Sequence, residues 1–320
     1  MRISRSWLAT AVALLCVAAI AGCGSSGSSS SSTSSSSASA GGASSSSATT
    51  SSAATSSAVP AADATVAAEV PAAIKSKGTL TVAADASYAP NEFFASDGHT
   101  VIGMDADLSK ALAAVMGIKA DIVNETFDGI IPGLASGKYD MGASSFTDNK
   151  LREKTVNFVD YFSAGTSFYS KASGGTAVTG LADLCGKTVA VEKATTEQTD
   201  ATTQSGKCKQ AGKPAVSVLT FPDQNGANLA VSAGRAQLVM ADSPVAAYAV
   251  KQSHGLFKLV GQTYGTAPYG LAIPKSSGLD KAVLAALKVV MKDGTYSSIL
   301  SHWGLTSGAI STPKINGATS

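Results

Sequence analysis

The sequence predicts an α/β protein built as two lobes. From about Lys75 onward short β-rich runs alternate with helical stripes, the order that favours largely parallel sheets flanked by helices. The rhythm breaks at Ser173-Gly174-Gly175 and then restarts. Each half holds about 100 residues, enough for a compact unit with its own core.

The elements follow in order. Thr79 to Ala84 reads as a strand, and Leu108, Ala111, Leu112 and Val115 form an i, i+3, i+4, i+7 stripe with Asp105 placed to cap its helix. Ile122-Val123 ends a strand, Ile130 to Leu134 is a short helix, and Asp140 to Ala143 and Thr155 to Val159 are strands. In the second half the strands are Thr188 to Val191, Val216 to Thr220, Leu238 to Ala241 and Phe257 to Val260. Pro268 to Ile273 follows, then a long helix whose Val283, Leu284, Leu287, Val290 and Met291 share a face.

The first fifth of the chain reads differently. Arg2 and Arg5 precede an apolar run from Trp7 to Ile20, a secretory leader too short to span a bilayer, which needs about 20 apolar residues. Ile20-Ala21-Gly22-Cys23 resembles the bacterial lipobox, in which the Cys thiol carries diacylglycerol. Of the 33 residues from Ser25 to Ser57, 20 are serine, and no charge occurs between Arg5 and Asp63. Such a tract cannot bury enough apolar surface to offset its ordering entropy, so it is expected to be a coil with a reach of about 30 Å. A helix over Ala61 to Ala73 is not expected, because Pro60 and Pro71 bracket it closely. Residues 1–22 are thus assigned to a signal peptide and 23–74 to a lipidated Cys with a disordered tether.

Charge excludes a polyanion partner. The 320 residues carry 24 basic and 22 acidic side chains, and since Arg2 and Arg5 lie in the leader, the remainder is neutral and without the basic face of a nucleic-acid binder. Once Cys16 leaves with the leader and Cys23 takes lipid, Cys185 and Cys208 remain. Outside the cytoplasm two such thiols pair, closing a loop inside one lobe and contributing about 3 kcal/mol in the chain-entropy description. His99, His254 and His302 are too scattered for a metal site, and no cofactor is expected. Gly180 to Thr188 imitates a phosphate loop, but five residues separate its glycines where four are needed. GxGxxG, GxSxG and HExxH do not occur. Ser301 and His302 are helix neighbours that point apart.

Ordered motifs then accumulate: Asp85-Ala86-Ser87-Tyr88-Ala89-Pro90, Gly103 to Leu108, Phe127 to Leu134, Gly137 to Asp140, Thr147 to Arg152 with Val156-Asn157-Phe158, Gly186 to Val191, Thr195-Thr196, Ala241 to Pro244 and Asp293 to Tyr296. Together they resemble the polar amino-acid family of bacterial extracellular solute-binding proteins, the family 3 receptors of ABC importers. The resemblance implies a periplasmic-binding-protein-like fold, two α/β lobes joined by two crossover strands. Thr166 to Lys171 and Tyr269 to Ile273 are the candidate crossovers. Lobe 1 would comprise residues 75–168 and 269–310, lobe 2 residues 169–268, and 311–320 a tail.

An α-amino acid presents a carboxylate and an ammonium on one carbon, so a dry cleft must supply both complementary charges. Arg152, whose guanidinium fork meets two oxygens at once, is the candidate carboxylate clamp, with Thr147 adding a hydroxyl; its bland alternative is a surface ion pair. Asp242, at the end of an apolar strand, is placed to meet the ammonium or to cap the helix after it. Thr196 opens a helix whose free N–H groups suit a carboxylate, although capping alone would also account for Thr195 and Thr196. Tyr88 and Phe127 match rings that flank the ligand, and Ser145 completes the ligand-binding set. Asp85 and Glu192 bear on selectivity: facing the pocket they favour a side chain that donates hydrogen bonds or carries positive charge, while otherwise they are a turn carboxylate and a solvated strand end. Asn91 stands as an insertion relative to the commoner Pro-Phe-Glu, which bears on the positions of Glu92 and Phe93.

The function expected is a monomeric, extracytoplasmic, lipid-anchored receptor that captures a polar amino acid and passes it to ABC permease subunits in the bacterial membrane. The alternative is an enzyme on the same scaffold, a cyclohexadienyl or arogenate dehydratase, with Glu192 or Asp85 as its acid.

Overall fold

The structure, a computed structural model, describes residues 60–319; the leader, Cys23 and the serine tract lie outside the described residues. Two helices precede the first strand, α1 (Ala64–Glu69) and α2 (Ala72–Lys77). The expected tether boundary at residue 74 is therefore too late. Asp63 caps α1 by accepting the N–H groups of Thr65 and Val66 at 2.8 and 3.1 Å, and Pro71 sits at the cap of α2, where a missing N–H breaks no helical bond. Val66, Val70 and Ile74 are drawn into the core of lobe 1, and that burial outweighs the prolines.

Lobe 1 continues with β1 (Thr79–Ala84), β2 (Ser87–Tyr88), β3 (Glu92–Phe94), β4 (Val101–Ile102), α3 (Met104–Val115), β5 (Lys119–Asn124), α4 (Phe127–Ala135), β6 (Met141–Gly142) and a 3₁₀ turn at Arg152–Lys154. The strand β7 (Val156–Lys171) leads into lobe 2, which holds a 3₁₀ turn at Leu181–Leu184, β8 (Thr188–Glu192), α5 (Thr196–Gln210), β9 (Ser217–Phe221), α6 (Gln224–Ser232), β10 (Leu238–Asp242) and α7 (Ser243–Gln252). The chain returns along β11 (Phe257–Pro274) to α8 (Leu279–Lys292) and α9 (Thr295–Trp303).

Eight strands run in the order β5-β1-β6-β11-β7-β10-β8-β9, and β2-β3-β4 form a small second sheet. In the main sheet the pairs within each lobe are parallel, as the βαβ order predicts, while the small sheet is antiparallel. The two central strands are antiparallel to each other and to their neighbours. They are also longer than the sequence pattern indicates. The predicted strand at Thr155 to Val159, which begins at Val156, and Thr166 to Lys171 belong to one strand of 16 residues, and Phe257 to Val260 and Pro268 to Ile273 to one of 18. Glycines and polar residues between the apolar runs hide that continuity. The register slips between Val260 and Ala267, and Gly165 faces that bulge so closely that a Cβ would meet the Tyr264 carbonyl oxygen at 2.6 Å.

In lobe 1, Leu80, Val82, Leu108, Leu112, Val283, Leu287 and Val290 are fully buried around one core; in lobe 2, Val189, Val191, Leu238 and Met240 surround another. Cys185 and Cys208 are joined within the second core, with Cα atoms 5.6 Å apart, inside the range that disulfide geometry permits. A third apolar cluster lies under the cleft and draws on both lobes, from Phe127 and Phe158 to Tyr169 and Val239. Asp105 does not cap α3; Gly103 holds that position, and the Asp105 carboxylate turns inward to accept the Tyr161 hydroxyl and the Ser145 N–H.

Candidate functional site

The strand ends of the two lobes meet at a cavity lined by Tyr88, Phe127, Ser145, Thr147 and Arg152 from lobe 1 and by Thr196, Glu197, Gln224 and Asp242 from lobe 2, among others. Its free volume is only about 10 Å³, room for about one water, so the lobes stand shut and must part to admit a solute. The closed state is held by contacts across the cleft: Lys193 pairs with Asp128 at 2.6 Å, and the Gln224 N–H donates to Ser87 Oγ at 3.1 Å.

Arg152 opens the 3₁₀ turn, where its N–H donates to Asn149 Oδ1 at 2.9 Å. Its Nη1 donates to the Thr147 carbonyl at 2.9 Å and its Nη2 to the Ala194 carbonyl of the opposite lobe at 3.1 Å. The guanidinium lies over the rings of Phe127 and Phe146, 5.2 and 5.5 Å from their centroids, a placement that favours a delocalised cation. No carboxylate is within ion-pair distance of it among the described residues, so the surface ion-pair alternative does not apply. Thr147 is anchored by a bridge to Tyr269.

Ser145 is a non-glycine residue in the left-handed region, φ 49°, and buried acids hold it there. Its N–H donates to Asp105 Oδ2 at 3.0 Å, its hydroxyl donates to Glu92 Oε2 at 3.2 Å and accepts from Asn91 Nδ2 at 2.8 Å. The inserted Asn91 and Glu92 are thus buried supports of the cavity wall. Phe93 instead packs against Trp303 and Tyr248. Burial pushes the Asp105 carboxyl up to about 6 despite its hydrogen bonds, and pushes Glu92 well above the usual range, further raised by Asp105.

On lobe 2, Asp242 occupies the cap position of α7, yet its side chain makes no capping bond. The carboxylate lines the cavity instead. Burial first, and then Glu197, raise its pKa well above the ordinary value. At α5 it is Thr195 that caps, accepting the Gln198 N–H at 3.1 Å; Thr196 is left to line the cavity, its hydroxyl donating to Glu197 Oε2 at 3.0 Å. Glu197 is a cavity residue that sequence reasoning misses. It is 4% exposed and accepts from Thr166 Oγ1 at 2.6 Å. Its signal is its place directly after Thr195-Thr196 in the first helical turn. Gln224, also missed, donates from Nε2 to the Tyr169 hydroxyl at 3.0 Å.

Phe127 stacks on Phe146 with centroids 4.6 Å apart and meets Tyr88 edge-on at 5.8 Å. Asp85 and Glu192 do not line the central cavity; they lie beside Tyr88, one from each lobe, and both are buried. Asp85 is not solvated, and its Oδ2 accepts the Phe127 N–H at 2.9 Å, the local structural role its alternative reading allows. Nor is Glu192 a solvated strand end. It is 1% exposed, and its carboxyl lies against the Tyr88 hydroxyl and the Asp85 carboxyl. Burial, reinforced by Asp85, pushes Glu192 up to about 10, and burial raises Asp85 as well. No group of three or more potential metal ligands occurs among the described residues.

Two α/β lobes hinged on long strands and shut over a cavity that offers a cation, carboxylates and aromatic faces define a solute-binding protein. Residues 80–306 match the model of bacterial extracellular solute-binding proteins, family 3, and the chain belongs to that family. The arginine-binding protein ArgT of Corynebacterium glutamicum is 36% identical over 259 residues, 81% of this chain and 84% of that protein. An ancestral arginine-binding protein solved with arginine is 36% identical over 71% of this chain and 98% of its own, with a TM-score of 0.65. An ancestral amino acid-binding protein described as a precursor of cyclohexadienyl dehydratase is 35% identical over 72% and 97%, also at 0.65.

Proposed function

We propose that this chain is a lipid-anchored receptor that captures an amino acid with a cationic side chain, arginine, and hands it to an ABC-type permease. The observation that carries the choice of ligand is the pair Asp85 and Glu192, two carboxyls buried from opposite lobes against each other and the Tyr88 hydroxyl, where only a shared proton or a cation relieves their repulsion. A guanidinium donates several hydrogen bonds from one plane and satisfies such a set. The arginine-binding relatives support the same reading. Arg152 with Thr147 and Thr196 takes the α-carboxylate, Asp242 with Glu197 the ammonium, and the edge-on pair of Tyr88 and Phe127 gives the stem an apolar wall. Ser145 shapes the wall behind the α-carbon. Closure desolvates these charges together with their partners, so affinity is gained only when both lobes engage.

The leader and Cys23 support secretion and lipid anchoring, and the serine tract gives the receptor its reach. The enzyme alternative is not favoured, since ArgT and both ancestral proteins are named for binding. Calorimetric titration of the twenty amino acids tests the proposal. Arginine is expected to bind tightest, followed by lysine; tighter binding of a neutral amino acid would overturn the assignment.

A further inference from the structure

The last residues of the chain lie beyond the stretch matched to the family, which ends at residue 306. Sequence pattern alone makes residues 311–320 a tail. In the structure, residues 309–318 run back along β7 as a strap. Ala309 bridges Phe162 and Ile315 bridges Val159, both antiparallel. The Asp160 N–H donates to the Lys314 carbonyl at 2.8 Å and the Asn316 N–H to the Phe158 carbonyl at 3.0 Å. Asn316, in the left-handed region at φ 53°, accepts the Phe158 N–H on its own side chain at 2.8 Å.

The strap ends at the turn that carries the guanidinium. The Ala318 N–H donates to Asp148 Oδ2 at 3.1 Å, while the Asp148 N–H donates to the Pro268 carbonyl at 2.9 Å. Asp148 is the residue after Thr147, whose carbonyl receives Arg152, and before Asn149, whose side chain receives the Arg152 N–H. Asp148 and Asp160 are 1% and 3% exposed, and one oxygen of each has no hydrogen-bond partner among the described residues. Gly317 lets the strap close over this pair; a Cβ there would lie 2.1 Å from Asp160 Oδ2.

We propose that the C-terminal strap, fastened by the Asp148 and Asp160 pair, is a positioning element that holds the 147–152 turn, and with it Thr147 and Arg152, in the geometry that receives the carboxylate of the solute. The assignment of that carboxylate rests on the proposed function; the bracing of the turn does not. Two buried carboxyls in contact are stable when they share one proton. Burial, and then Asp148, push Asp160 up to about 7, and burial raises Asp148. The other charged groups at this place are Glu153, itself paired with Lys150 at 2.8 Å, and Lys314 on the strap. Above neutrality both carboxyls ionise and repel, and the fastening weakens.

The test uses the full chain, a truncation after Pro313, Gly317→Val and Asp160→Asn. Hydrogen exchange without added amino acid reads the brace directly: truncation and Gly317→Val are expected to speed exchange of the amides of residues 148–155, leaving β8 and β10 unchanged. Titration with L-arginine is expected to show about tenfold weaker binding for both, the scale of one lost hydrogen bond to a charged group. Asp160→Asn mimics the protonated acid. It should bind like the parent at pH 6 and about threefold or more tighter than the parent at pH 8.5, the direction proton linkage requires. A merely structural strap would lower the melting temperature while leaving arginine affinity within twofold and the parent-to-variant ratio flat in pH, and that result overturns the proposal. If arginine gives no binding to the parent, the proposed ligand falls, and unchanged exchange in the truncated chain is then what overturns the strap.

Discussion

Replacing Glu192 by Gln separates a charge from a shape. With its carboxyl raised to about 10, Glu192 is protonated at pH 7 in the closed, unliganded chain, and ionising it there costs about 4 kcal/mol at 1.36 kcal/mol per unit. A guanidinium placed against it repays that cost only if the proton leaves. Arginine binding near pH 7 should therefore release about one proton, and affinity should rise by up to about tenfold per pH unit between pH 6 and 8.5. Titration calorimetry in phosphate and in Tris at each pH measures the released protons from the dependence of the heat on buffer ionisation. Glu192→Gln should remove this one proton from the total released and lessen the pH dependence to match, so its deficit in arginine affinity grows from pH 6 to 8.5 while glutamine binding stays unchanged. Without ligand the sign is opposite. A carboxyl whose folded pKa is raised from 4.5 to about 10 binds more protons folded than unfolded, so its penalty on stability begins near pH 4.5 and grows through pH 10. At pH 8 that amounts to about 5 kcal/mol, and Glu192→Gln should melt higher than the parent there. Equal proton release by the parent and by Glu192→Gln at pH 7, in a parent that still outbinds the variant, would refute the reasoning, because Glu192 would then act only as a neutral acceptor.

Arg152→Ala and Asp242→Ala should each cost about two to four decades of arginine affinity, because each leaves one ligand charge desolvated without its partner; both should fold yet lose arginine-induced thermal stabilisation, and binding within threefold of the parent would make the residue structural. Cys23→Ser should release the leader-cleaved protein into the aqueous phase of a detergent partition; retention with membranes would remove the lipid anchor. Cys185→Ser with Cys208→Ser should lower stability by about 3 kcal/mol in denaturant melts while leaving arginine affinity unchanged, since the bridge lies in the lobe 2 core.

Much of the fold is legible in the sequence because local pattern and tertiary role coincide in it. The strand β1, the stripe on α3 and the parallel pairs of each lobe follow from apolar periodicity that one buried face explains. The long central strands are not, because β7 and β11 carry glycines and hydroxyls where they cross between lobes, and only their pairing shows them continuous. The helices α1 and α2 escape for a related reason: two prolines argue against them locally, and three buried apolar side chains decide the matter at a distance.

The site divides along the same line. Arg152, Thr147, Asp242, Thr196, Tyr88 and Phe127 lie at strand ends or helix starts, and the cavity gathers all six. Residues that act on those six are harder to see. Asp105 reads as a cap from its neighbours, but its partners are Ser145 and Tyr161, 40 and 56 residues away. Glu197 reads as one more acid in a first turn until Thr166 meets it from the crossing strand. Asp148 gains a role only when Ala318 arrives 170 residues later. A charged group that touches a solute can sit at an exposed strand end and announce itself by position. One that holds another group in place must be buried, and buried polar atoms choose partners by geometry in space. The acids that matter most to this cleft therefore fall into two kinds: those facing the solute, whose charge the ligand completes, and the pairs Glu92 with Asp105 and Asp148 with Asp160, whose charge a shared proton limits. In the proposed reading the first kind sets what is bound, and the second sets how firmly the cavity wall and the turn bearing Arg152 are held while the lobes close.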